Sequence, residues 1–155
     1  MRISTKLLVV GAVLGWAGSA IAAPLPNGGV TAQEVAGVMR GMKLEVEMTA
    51  DRDGDPLIRS NISGRKFGVY FYQCKGPRCT SIQFSSGFEG AENIAVAKIM
   101  EWNRTKRFGR AYLDGSTLFV EMDMDVERGA TTEAVANNFD RWAAVMEQFP
   151  KFFNK

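Results

Sequence analysis

Three stretches of this chain alternate apolar and polar side chains with a period of two, and residues that reverse a backbone sharply stand beside them. Leu44, Val46 and Met48 alternate with Glu45, Glu47 and Thr49. Phe67, Val69 and Phe71 alternate with Gly68, Tyr70 and Tyr72, and Leu118, Val120, Met122 and Met124 with Phe119, Glu121, Asp123 and Asp125. A strand points successive side chains to opposite faces, so this period predicts strands with one buried and one wet face. Turn chemistry sits between the strand patterns at Asp51-Arg52-Asp53-Gly54, Ser63-Gly64-Arg65-Lys66, Lys75-Gly76-Pro77-Arg78 and Asp114-Gly115. Such turns close hairpins, whereas parallel strands need a crossover of a dozen or more residues. The chain is thereby constrained to an antiparallel sheet.

Helical signatures frame that sheet. Thr31 and Glu34 form a capping-box pattern, with Val30 and Val35 placed as a hydrophobic staple. Val35, Val38, Met39 and Met42 follow at helical spacing. Residues 89–105 predict a second helix, on which Ala95, Val96, Ile99, Met100 and Trp102 crowd one side. Thr131 or Thr132 caps a third, whose stripe of Val135, Phe139, Trp142, Met146 and Phe149 ends at Pro150. With strands over 56–62, 79–84 and 108–113 added, the order is α-β-β-β-β-α-β-β-α. The expected fold is α+β, one antiparallel sheet with three helices on one face.

The amino end predicts export. Arg2 and Lys6 precede a nearly unbroken apolar run, and Ala20-Ile21-Ala22 places small residues where a signal peptidase inspects them. The division expected is a signal peptide over 1–22, cut after Ala22, a flexible leader over 23–30 and one domain over 31–153. The apolar run is shorter than the roughly 20 residues of a permanent span, so no stable membrane anchor is expected after cleavage. The product should be periplasmic or secreted. The whole chain carries 19 basic and 17 acidic residues, a formal charge of +2. Arg2 and Lys6 account for that excess, and a near-neutral mature chain gives no footprint for nucleic acid.

Histidine is absent from all 155 residues. That removes Ser-His-Asp and Cys-His catalysis, histidine-bearing zinc sites and the usual general base near neutral pH. No phosphate loop or dinucleotide fingerprint occurs, so no cofactor is expected. Asp51, Asp53 and Asp55 suggest a calcium loop, but Pro56 and Ile62 stand where such a loop needs glycine and glutamate, and a charged turn is the better expectation. Glu121, Asp123, Asp125 and Glu127 are expected on a solvated strand face. Cys74 and Cys79 flank a four-residue turn at a separation a disulfide can bridge, which suits an exported chain. No metal site is expected and no catalytic residue stands out. The densest mixture of aromatic and basic side chains runs from Trp102 through Arg107 and Arg110 to Tyr112. It predicts either a partner-binding surface or a packed corner between helix and strand.

That segment also carries a resemblance. The run from Trp102 to Asp123, taken with Asp55-Pro56 and the hairpin of Phe71, Tyr72, Gln73, Cys74, Cys79, Ile82, Gln83 and Phe84, resembles the YbjN-domain family of bacteria. The resemblance implies a fold like that of type III secretion chaperones, often dimeric, and a family label of sensory transduction regulator, with no catalytic residues to carry over. The expected function is a non-enzymatic, chaperone-like exported module that binds a protein partner in envelope signalling, with monomer and homodimer both left open. The alternative is a small-ligand sensor with a pocket between sheet and last helix, lined by Trp142, Met146 and Phe149.

Overall fold

In a computed structural model that describes residues 22–154, the expected element order holds. The signal peptide expected over 1–22 lies outside the described residues except for Ala22. Helix α1 (Ala32–Gly41) leads into β1 (Glu47–Ala50), β2 (Pro56–Ile62), β3 (Arg65–Lys75) and β4 (Arg78–Phe88). Helix α2 (Val96–Thr105), β5 (Arg110–Asp114), β6 (Thr117–Asp125) and α3 (Thr132–Phe153) complete the chain. All neighbouring strands pair antiparallel, in the order β1-β2-β3-β4-β6-β5.

One face of the sheet supplies the core. Phe67, Val69, Phe71, Ile82, Phe84, Leu118, Val120 and Met122 are buried there with the α1 residues Val35 and Met39. Helix α3 presses its predicted stripe onto them. The Phe84 ring meets Phe139 edge-on at 4.9 Å and Trp142 at 5.8 Å, and Phe67 meets Trp142 at 5.9 Å. Burial of large apolar and aromatic side chains at this density is the main term holding such a domain together.

Five sequence expectations shift at the element level. The 23–30 segment, expected as a flexible arm, is instead stitched down: Leu25 N–H donates to Ala130 O at 2.8 Å, Gly28 N–H to Glu127 O at 2.9 Å, and Val30 pairs with Cys79. Strand β1 begins at Glu47 rather than Leu44, because Lys43 takes a positive φ of 62° after the helix and delays extension. Helix α2 begins at Val96 rather than at residue 89. Gly90 turns the chain at φ 67° and Ile94 N–H closes onto Ala91 O at 3.0 Å. Its buried side is also narrower than expected, since Val96 and Met100 are exposed and only Ile99 and Trp102 are buried. Pro150 does not end α3. The helix runs on to Phe153, where Asn154 caps it in the left-handed region with its N–H on Pro150 O.

Candidate functional site

Because strands alternate, the sheet face opposite the helices is defined by register. Leu57, Tyr70, Gln83 and Asp123 form one row across β2, β3, β4 and β6. Glu47, Arg59, Gly68, Ser85, Glu121 and Arg110 form the next, spanning all six strands. Gly87, Phe119 and Tyr112 make a third. This helix-free face combines aromatic rings with both signs of charge.

Two glycines shape it. A Cβ on Gly68 would fall 2.7 Å from Tyr70 Cε2, and one on Gly87 would fall 3.0 Å from Phe119 Cε1. Each ring therefore lies against the backbone where a side chain is missing, which keeps the surface low. Tyr112 stacks beside Phe119, their centroids 5.4 Å apart and planes 16° from parallel. A hollow of about 720 Å³ opens among Leu57, Arg59, Lys66, Gly68, Tyr70 and Phe119. A second of about 480 Å³ shares the Leu57, Arg59, Tyr70, Ser85 and Phe119 walls and reaches Tyr72 and the Asp51–Asp53 turn.

At one side of this face sits a polar cluster around Glu121. Arg110 Nη2 donates to Glu121 Oε2 at 2.6 Å, and the Tyr112 hydroxyl donates to Oε1 at 2.7 Å. The Ser85 hydroxyl adds a longer bond of 3.5 Å. The Arg110 guanidinium also lies 5.3 Å over the Tyr112 ring. Burial, followed by the bond to Glu121 and its negative charge, pushes the Tyr112 phenol up to about 12. It stays a donor across the physiological range. The bond to Glu121 also raises Arg110. Tyr72 is raised by burial and then by the Glu121 charge. The expectation of a solvated carboxylate row fails at Glu121, which is only 8 % exposed, while Asp123 and Asp125 are exposed. Alternation showed which face Glu121 occupies. Nothing in the strand pattern said that Arg110 and Tyr112, eleven and nine residues earlier, would cover it.

The aromatic-basic segment divides among three places. Trp102 is closed into the core at 1 % exposure, its indole N–H donating to Gly109 O at 2.6 Å, its ring edge-on to Phe149 and Phe152. It belongs to the helix-strand corner and offers nothing to a partner. Arg107 is exposed, with its guanidinium 5.7 Å from the Phe108 ring. Arg110 and Tyr112 join the helix-free face. Trp142, Met146 and Phe149 are each fully buried against the sheet, and none of them lines either hollow.

The turn at residues 51–55 is built from its own atoms, Asp51 Oδ1 accepting from the Asp53 and Asp55 amides at 2.9 and 3.0 Å. Among the described residues no group of three or more acidic, cysteine or histidine side chains converges to hold a metal ion. Cys74 and Cys79 are joined by a disulfide, their Cα atoms 3.9 Å apart. No helix among the described residues is long and apolar enough to cross a membrane.

An α+β domain with helices on one side of an antiparallel sheet and a mixed aromatic and charged face on the other is thus the class of molecule defined. The model of the YbjN family, described as "Putative bacterial sensory transduction regulator", matches residues 31–155. The chain belongs to the YbjN family. No curated protein and no solved structure matches it.

Proposed function

We propose that this chain is an exported, non-catalytic regulatory module that binds a protein partner on the helix-free face of its sheet, in bacterial envelope signalling. The observation that carries the reading is that face itself. Tyr70, Tyr72, Tyr112 and Phe119 lie among Arg59, Arg110 and polar groups, and aromatic and arginine side chains are the residues that dominate interface hot spots. Two low hollows with rings against their floors suit a broad protein surface better than a buried substrate. The Glu121 carboxylate already accepts three hydrogen bonds, so it is occupied in holding the face together.

Export is supported by the Cys74–Cys79 disulfide. A disulfide is the ordinary state of paired cysteines in oxidising compartments.

Photo-crosslinking in the exporting bacterium tests the reading. A photoreactive residue replacing the exposed Tyr72 should give a discrete protein adduct, and one replacing the exposed Met100 on α2 should not. An adduct of twice the chain mass would make the partner a second copy. Failure of Tyr72 to capture any protein would end the proposal. A second reading, a small-ligand sensor, rests on the 720 Å³ hollow, which falls within the size range of ligand pockets. A metabolite screen that raises the thermal midpoint of the wild type but not of a Tyr70→Ala variant would favour it.

A further inference from the structure

The β3–β4 hairpin outruns the rest of the sheet at one end. Strand β2 pairs with β3 no further than Tyr70, and β6 pairs with β4 no further than Ser81. Beyond that point β3 is interrupted. Gln73 takes a positive φ of 55°, and the pairs Tyr72–Ser81 and Cys74–Cys79 flank a gap in the register. A non-glycine residue in the left-handed region persists only where its surroundings hold it.

Besides the Val126 N–H bond to Thr80 O at 2.9 Å and the Thr80 hydroxyl bond to Gln73 Oε1 at 2.8 Å, two things hold this tip. One is the Cys74–Cys79 disulfide. The other is the strap formed by residues 23–30. Val30 N–H donates to Cys79 O at 2.9 Å and Cys79 N–H to Val30 O at 2.8 Å. Gly29 lies so close that a Cβ there would fall 2.2 Å from the Cys79 oxygen. Arg78, next to Cys79, donates to Gly29 O at 2.5 Å and pairs with Glu34 of the α1 capping box at 3.1 Å. Further back, the strap is bonded to the start of α3 through Ala23 and Thr132. Crosslink, strap and the first turns of two helices are therefore one connected set.

We propose that the Cys74–Cys79 disulfide is a redox latch on this strap: a dithiol reductant opens it, and the reduced protein releases residues 23–30 while the sheet stays folded. Cys79 is fully buried and Cys74 half-buried, so the Cys74 sulfur receives the incoming thiolate. Attack breaks the Cys74–Cys79 bond and forms a mixed disulfide on Cys74, and the Cys79 thiolate leaves and takes up a proton. The second thiol of the reductant then displaces Cys74, which also gains a proton. Two electrons and two protons have passed to the protein, and the reductant has become a disulfide. With the crosslink gone, the hairpin tip loses its covalent tie beyond the Gln73 kink, and the strap is left with hydrogen bonds alone, to Cys79, Arg78, Glu127, Ala130 and Thr132. Coupling of this kind is reciprocal: whatever the crosslink contributes to the strap, the strap contributes to the crosslink.

Hydrogen exchange on the oxidised protein and on the same protein reduced with dithiothreitol tests the latch. The Leu25, Gly28 and Val30 amides should exchange at least tenfold faster after reduction, with Val69, Phe84 and Val120 in the central strands unchanged. Equal strap exchange in the two states overturns the proposal. So does acceleration of strap and central strands together, which would make the disulfide a staple for the whole domain. Val30→Pro, which removes one strap bond without touching either sulfur, should ease reduction by dithiothreitol severalfold. An unchanged reduction midpoint in a folded Val30→Pro protein overturns the coupling, and the wild-type exchange comparison decides the matter if that variant fails to fold.

Discussion

Glu121 occupies a position where an alternating strand should present a solvated carboxylate, yet Arg110 and Tyr112 from β5 close over it. The consequence is measurable on the tyrosines. A phenol whose pKa is raised to about 12 is held in its protonated form by the fold. The stability it lends is fully present below the ordinary tyrosine value near 10 and is lost as pH rises from there through 12. Spectrophotometric titration should show a late tyrosine phase near 12 that Tyr112→Phe removes. Glu121→Gln removes the charge that opposes ionisation, so the late phase should move back toward 10, and a late phase that stays in place would mean burial alone sets it. Gly68 makes a second prediction at this scale. Ala there puts a methyl 2.7 Å from the Tyr70 ring, and displacing a packed ring costs on the order of 1–3 kcal/mol. In a Tyr70→Ala background the same substitution should cost distinctly less by urea unfolding, because the ring it strikes is gone.

At the scale of elements, what the sequence made legible was whatever depends on neighbours within a few residues. The Thr31–Glu34 capping box is present in both directions, Thr31 Oγ1 accepting from Glu34 N–H at 3.1 Å and Glu34 accepting from Thr31 N–H at 2.7 Å. The strands β3 and β6 follow their alternation and the α3 stripe faces the core as its spacing predicts, whereas β1 at the sheet edge is exposed along its whole length, Met48 included. Elements set by distant partners were not legible. Nothing in Pro24 to Val30 announces that its backbone will pair with Cys79 and Ala130, because glycine and proline mark a strap and a loose arm alike. The start of α2 failed for the same reason: Ala91 is buried with its N–H on Ser116 O at 2.9 Å, a tertiary contact that outweighs helical propensity. Of the candidate site, Arg110 and Tyr112 were visible as residue types, but the glycine-backed rings of Tyr70 and Phe119 required the register. The capping box carries its own prediction. Burial works to raise the Glu34 carboxyl, but the Thr31 backbone bond and the Arg78 partner outweigh it and the net shift is downward. A lowered carboxylate contributes stability above its unfolded value near 4.5, and that stability disappears as pH falls through the folded value. Thr31→Ala should cost about 1 kcal/mol at neutral pH. Glu34→Gln should lower the urea midpoint at pH 7, and its gap to wild type should narrow as pH falls below 4.5.

Across the whole molecule, apolar burial is one-sided. The sheet places its large hydrophobic residues under α1 and α3 and leaves rings, glycines and charges on the other face. That division makes net charge matter to the proposed partner binding, because an uncovered face of mixed sign would select by local pattern when no overall field dominates. The precursor has 19 basic and 17 acidic residues and an isoelectric point near 8.6. Both surplus cations, Arg2 and Lys6, stand before the expected cut after Ala22. Removing them leaves 17 of each sign, so processing should carry the isoelectric point from 8.6 to near neutrality. Ala23 bonds Thr132 in both directions, and a cut further along the strap would take that tie away from the start of α3. Intact mass and isoelectric focusing of the protein recovered from the envelope should therefore agree on a chain beginning at Ala23 with a near-neutral isoelectric point. A recovered chain that still focuses near 8.6 with Met1 in place would remove the export reading, and with it the oxidising setting on which a closed Cys74–Cys79 latch depends.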